Sequence, residues 1–192
     1  MSEKYILCVD NTVNMLVTQE KTNVINGMSC WSATHEYSIA LLNDKKSYDL
    51  YLINEDFENF KKFSDIDNST QLLSIFNQNR PTALKLDYSE AIKDIMNKYK
   101  ESEENSINVI FITSSTPNTP DDEEKFSKCL VNLIDSEKIK FKFIQIGNNP
   151  KTTVFLQNII DNMNKWGLKY PSTVKTYIYS DENTAYKYIY EG

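Results

Sequence analysis

The sequence predicts an α/β protein, a doubly wound, mostly parallel six-stranded sheet with one antiparallel edge strand and helices on both faces. Three observations predict it. Short runs of β-branched, aromatic and aliphatic residues bounded by polar residues recur along the chain. Stripes of apolar residues at helical spacing lie between most of them, the alternation that builds a sheet covered on two sides. The first apolar run, Tyr5-Ile6-Leu7-Cys8-Val9, delivers the carboxylate of Asp10 and then the hydroxyl of Thr12. In open α/β sheets, ligands bind beyond the carboxyl ends of the strands, so Asp10 marks the place to look for function.

Taken in order, the strand candidates are 4–10, 37–43, 48–54, 107–113, 140–146 and 174–179. The second and third are separated by Asp44-Lys45-Lys46-Ser47, which suggests an antiparallel hairpin. Strands 107–113 and 140–146 are expected to be parallel neighbours of the first. Tyr88, Ala91, Ile92, Ile95, Met96 and Tyr99 form one helical stripe, and Phe126, Cys129, Leu130, Leu133 and Ile134 form another. A third stripe, Phe155, Ile159, Met163 and Trp166, opens near Pro150 and is closed by Gly167. Weaker helices are expected at 22–33 and 69–77, with a last short one at 181–190. Asp121-Asp122-Glu123-Glu124 suits the N-terminus of a helix better than a calcium loop.

A chain of 192 residues is long enough for one domain with a two-sided core, so 1–192 is expected to be a single domain. No apolar stretch approaches the roughly 20 residues that cross a bilayer, and no signal region follows Met1; a cytoplasmic protein without membrane contact is expected. Cys8, Cys30 and Cys129 each lie in an apolar segment without CxxC spacing, as reduced core thiols do. The net charge of −6 argues against nucleic acid, which needs clustered Lys and Arg. A single histidine, His35, cannot by pattern build a histidine metal site or a nucleophile relay. Tyr177, Tyr179, Tyr186, Tyr188 and Tyr190 suit an interface or the packing of a terminal strand and helix.

Three segments are expected to converge near Asp10: its own loop, Asn79-Arg80-Pro81-Thr82, and Thr113-Ser114-Ser115. Here the sequence resembles a von Willebrand factor A (VWA) domain, most closely the intracellular type. Val9-Asp10-Asn11-Thr12-Val13-Asn14-Met15 is similar to a D-x-S-x-S-M loop, and Tyr48-Asp49-Leu50-Tyr51-Leu52-Ile53-Asn54 to G-I-D-L-Y-F-L-N. Arg80-Pro81-Thr82-Ala83-Leu84-Lys85-Leu86 resembles T-P-T-G-x-x-L, and Val109-Ile110-Phe111-Ile112-Thr113-Ser114-Ser115 resembles V-I-x-I-T-D-G. Phe143-Ile144-Gln145-Ile146-Gly147-Asn148-Asn149-Pro150 resembles F-V-Q-I-G-x-D-P, and Phe155-Leu156 follows it as F-L does in the family.

The resemblance implies a metal-ion-dependent adhesion site, in which Mg2+ leaves a coordination position open for an acidic group of the partner. Carried onto this chain, Asp10 matches the first acid and Thr12 the first hydroxyl. Asn14 stands for the second hydroxyl, Arg80 falls where the threonine ligand belongs, and Ser114 replaces the second acid. A shift of register would make Thr82 the threonine ligand instead. Mg2+ demands about six oxygen ligands, and a fixed guanidinium repels it. The expectation is therefore a metal-free site, without cofactor, in which Arg80 or a hydrogen-bond network caps Asp10. Asp10 and Thr12 could equally tie their own loop through backbone N–H groups, Ser114 could be a turn hydroxyl, and Arg80 could be a surface residue.

The resemblance, with these departures from it, implies a non-enzymatic protein-protein interaction module, a scaffold in an intracellular complex whose partner is a protein. One alternative is a working Mg2+-dependent adhesion domain. Another is a phosphatase of the haloacid-dehalogenase type using Asp10 as nucleophile, although Thr12 stands where its general acid belongs. The four glycines, Gly27, Gly147, Gly167 and Gly192, form no phosphate-binding turn.

Overall fold

Runs buried on both faces make central parallel strands, and a computed structural model shows where they pair. It describes residues 3–17, 28–45, 47–54, 60–101, 104, 106–117 and 119–178. In chain order the elements are β1 (Glu3–Asp10), α1 (Cys30–Lys45), β2 (Tyr48–Ile53), β3 (Phe60–Ile66), α2 (Ser69–Gln78) and α3 (Ser89–Tyr99). They continue as β4 (Ser106–Thr113), α4 (Pro120–Leu133), β5 (Ile139–Gln145), α5 (Pro150–Lys165) and β6 (Val174–Ile178). The strand order is β3-β2-β1-β4-β5-β6, parallel throughout except for the antiparallel edge strand β3. The order reverses between β1 and β4, so the crevice beyond Asp10 is the topological switch point.

Alternation along β1 divides the core. Ile6 and Cys8 face α3, α4 and α5, where Phe111 stacks on Phe143 at 4.7 Å and Tyr88 meets Phe111 edge-on at 5.2 Å. Leu7 and Val9 face α1 and α2, through Trp31, Leu41, Leu72 and Phe76. Both clusters exclude water from long aliphatic and aromatic side chains, which is the main force holding helices to each face.

Four expectations need correction. Residues 37–43 are not a strand: they lie in α1, where Trp31, Thr34, Tyr37, Ser38, Leu41 and Leu42 are buried at helical spacing. The helix expected at 22–33 begins only at Cys30, and its 22–27 portion lies outside the described residues, as do the helix expected at 181–190 and the tyrosines from Tyr179 onward. The antiparallel partner of β2 is β3, whose Lys61 and Lys62 and exposed Asp65 gave no strand signal because edge strands carry charge. Finally β5 pairs with β4 rather than with β1. Each parallel strand needs a crossover helix, and α4 carries the chain one position further out.

Local chemistry sets the helix ends. Asn149 and Thr119 cap α5 and α4, each followed by proline at the first helical position. Gly167, at φ 80°, ends α5, and the Leu168 N–H closes back on the Met163 carbonyl at 3.1 Å. Asn68 caps α2 by accepting from the Gln71 N–H at 2.8 Å. Asn68→Ala is expected to lower stability by about 1 kcal/mol, read as a reduced urea midpoint at unchanged slope.

At the amino ends of the strands, the buried Asp49 carboxylate joins four elements. It receives Lys4 Nζ at 2.8 Å, Lys98 Nζ at 2.9 Å, the Asp65 N–H at 3.0 Å and the Tyr99 hydroxyl. Burial acts to raise this carboxyl, but donors from Lys4, Tyr99, Asp65 and Lys98 outweigh it and hold it well below its ordinary value. Asp65 sits at φ 53°, a left-handed conformation beside a register shift in the β2–β3 pair, and its N–H bond to Asp49 holds it there.

Candidate functional site

Asp10 ends β1 with its side chain on the α3–α4 side of the sheet and no exposed surface. One carboxylate oxygen accepts the Thr12 N–H at 2.8 Å, which ties the loop to its own strand. The other accepts from Thr113 Oγ1 at 2.9 Å and from the Ser114 N–H at 3.3 Å, which ties β1 to the end of β4. Burial raises the Asp10 carboxyl above its ordinary value, against the pull of its donors. Tyr88 packs beneath, and burial followed by the charge of Asp10 pushes its phenol well up.

A second layer closes over this carboxylate. Thr12 Oγ1 and Ser115 Oγ share a hydrogen bond of 2.9 Å, and Asn14 Nδ2 donates to the same Ser115 Oγ at 3.0 Å. Thr113 Oγ1 accepts the Ser115 N–H at 3.0 Å. On the far side, the Ser114 carbonyl accepts from Asn149 Nδ2 at 3.0 Å and Thr152 Oγ1 at 2.9 Å, linking the network to the start of α5. The Ser114 hydroxyl is buried and has no partner among the described residues.

The Arg80 segment meets the crevice through its backbone. Val13 N–H donates to the Ala83 carbonyl at 2.9 Å, and Thr12 and Ala83 form an isolated parallel bridge. From Arg80 to Ala83 the side chains alternate exposed, buried, exposed, buried. That period directs Arg80 and Thr82 to solvent, while Pro81 and Ala83 pack inward. Arg80 therefore does not cap Asp10; the hydrogen-bond network does. A guanidinium keeps its hydration at the surface, and Asp10 already has donors on both oxygens.

Asp10, Thr12 and Asn14 thus meet in one cluster, Ser114 joins it by its backbone, and Arg80 and Thr82 stand at the rim. The segment Thr113-Ser114-Ser115 meets Asp10 as expected, but the side chains that complete the cluster are those of Thr113 and Ser115 rather than that of Ser114. Strand alternation separates them from Ser114 once the register is known. Val9 pairs with Ile112, so continuing the register sets Asp10 beside Thr113, and strand alternation then returns Ser115 rather than Ser114 to the same side.

The donor set does not suit Mg2+. Such an ion requires about six oxygen ligands at about 2.1 Å, usually including acidic ones. Here the single carboxylate is engaged on both oxygens, and Asn14 presents N–H rather than oxygen. Among the described residues no group of three His, Cys, Asp or Glu side chains could hold a metal.

The sequence matches no protein-family model and no curated relative. Solved structures do match. A point mutant of the PilB minor pilin from Streptococcus sanguinis aligns with a TM-score of 0.73 at 10% identity, over 98% of this chain and 59% of the pilin chain. The SpRpn10 VWA domain aligns at 0.62 with 13% identity, over 93% of this chain and 88% of that one. A von Willebrand factor type A structure from Catenulispora acidiphila aligns at 0.58 with 12% identity, over 95% of this chain and 40% of that one. This chain accordingly spans little more than half of the pilin it matches. No described helix is long and apolar enough to cross a membrane. With its strand order, its antiparallel edge and the switch point at Asp10, the chain has the fold of a von Willebrand factor A domain.

Proposed function

We propose that this chain is a non-enzymatic protein-protein interaction module, in which a closed hydrogen-bond network takes the place of the adhesion metal. The observation that carries the reading is the Asp10 carboxylate itself, fully buried and bonded on both oxygens to donors from the loop after β1 and from the end of β4. Such an anion has no free lone pair facing solvent, so it is poorly placed either to bind a cation or to attack phosphorus. Its role in this reading is to hold the crevice loops in one shape for a protein partner. Two of the matched structures are named as a minor pilin and a pilus adhesin, names that fit proteins made for assembly. Cys8 and Cys30 are buried in separate core clusters and form no disulfide among the described residues, an arrangement that suits the reducing cytoplasm.

Thermal unfolding with Mg2+ or Mn2+ tests the reading. A site half-saturated at micromolar ion would gain about 2.7 kcal/mol at a hundredfold excess, a rise in Tm of about 5–10 °C. No such rise is expected. A rise that disappears in Asp10→Ala overturns the metal-free reading, and hydrolysis of p-nitrophenyl phosphate that disappears in Asp10→Asn overturns the non-enzymatic one.

A further inference from the structure

Beside the crevice, the first turns of α4 and α5 enclose a groove of about 470 Å³. Pro117, Pro120, Pro150 and the half-exposed Val154 give it an apolar surface, and Glu123 and Lys151 stand on its walls. The prolines fix their own backbone, so little freedom is lost when something binds against them. The acidic turn of α4 is unevenly compensated. Asp122 has Lys125 at 3.6 Å and Glu124 has Lys128 at 3.7 Å, each on the same helix. Glu123 is half-buried and has no ion pair among the described residues. Burial raises its carboxyl, so its charge is held partly out of water without a counter-charge. Lys151 on the opposite wall is exposed and keeps its hydration. The group that stands to gain from a ligand is therefore the anion.

We propose that this groove docks an extended segment of a partner protein, with an aliphatic side chain over Val154 and a lysine or arginine on Glu123. Charge complementarity selects the cation, and the proline-lined surface selects the aliphatic neighbour. The proposal rests on the reading of the chain as an interaction module, and it states where and with what chemistry that module engages. It places the contact on the groove and leaves the Asp10 network as the support of the loop that forms one side of it.

The test is a titration of the isotopically labelled full chain with short synthetic peptides, followed by amide chemical shifts. One peptide repeats leucine and arginine, a second leucine and glutamate, a third serine and arginine. The leucine–arginine peptide is expected to shift Thr119, Glu123, Lys151 and Val154, and the other two to bind weakly or not at all. Glu123→Gln should weaken binding about fivefold, an ion pair of about 1 kcal/mol, and Val154→Asp should abolish it. Both side chains are at least partly exposed, so both variants should melt as the wild type does. Equal binding of the leucine–glutamate peptide, or full affinity in Glu123→Gln, overturns the proposal. Shifts confined to Thr12, Asn14 and Ser115 overturn the groove while favouring an interaction at the crevice. If no peptide binds, the groove proposal fails alone, because the metal and phosphatase assays judge the module independently.

Discussion

Asp10→Ala is expected to lower the stability of the fold by about 2–4 kcal/mol, because it leaves the buried Thr12 and Ser114 N–H groups without acceptors at about 1–3 kcal/mol each. Thr113 suffers less, since its hydroxyl can turn to the Ser115 carbonyl 3.0 Å away. Removing a buried charge returns part of the loss, which keeps the figure below that of a fully compensated ion. Asp10→Asn preserves shape and one acceptor and should cost less than the alanine. It also carries a pH signature. The folded carboxyl is raised above its unfolded value, so the native state binds more protons there and stability falls as pH rises from about 4 through the folded value. Urea unfolding from pH 4 to 7 should show this decline in the wild type and not in Asp10→Asn. An unchanged slope in the variant would mean that Asp10 is not the group responsible.

Asp49→Ala is expected to cost about 3–5 kcal/mol, the range for breaking a buried charge network by removing one partner. The loss arises because Asp49, 1% exposed, holds Lys4, Lys98, Tyr99 and the Asp65 N–H together. Without it Tyr99 is left with a buried hydroxyl, and Asp65 loses the bond that holds its left-handed conformation. The pH sign is opposite to that of Asp10. A depressed carboxyl gives stability that is complete above the unfolded value near 4 and is lost as pH falls toward the folded one. Acid unfolding below pH 4 should therefore be steep in the wild type and shallower in Asp49→Asn. Equal acid profiles would show that the network contributes nothing measurable.

The two carboxylates illustrate how much was legible beforehand. Both end up buried beside apolar runs, yet one lies at the carboxyl end of β1 and the other near the amino end of β2. Strand direction follows from the alternation of strands with helices, so the functional end of the sheet could be read. The segment Thr113-Ser114-Ser115 could be placed beside Asp10, but which side chains meet each carboxylate could not be read. Lys98 lies 49 residues from Asp49, and Thr113 lies 103 from Asp10, contacts that no local spacing encodes.

Residues 37–43 show the same limit in secondary structure. Ile39, Ala40, Leu41 and Leu42 are a short apolar run that serves equally as strand or helix, and packing of Leu41 against the second core cluster decides for helix. The charged edge strand β3 was hidden for the converse reason, since backbone pairing with β2 stabilises it while much of its side-chain surface remains in water.

By itself the sequence determined the α/β class, the places of β1, β2, β4, β5 and β6, the apolar stripes of α3, α4 and α5, and Asp10 as the acid at the mouth of the sheet. These are legible because burial on two faces and helical periodicity are written within a few residues of one another. Only the tertiary structure decided that Ser115 and Thr113 close on Asp10, that Arg80 faces solvent, and that Glu123 stands in a groove without an ion pair among the described residues. Each depends on which side of a strand or helix a side chain leaves by, and a one-residue change of register reverses it.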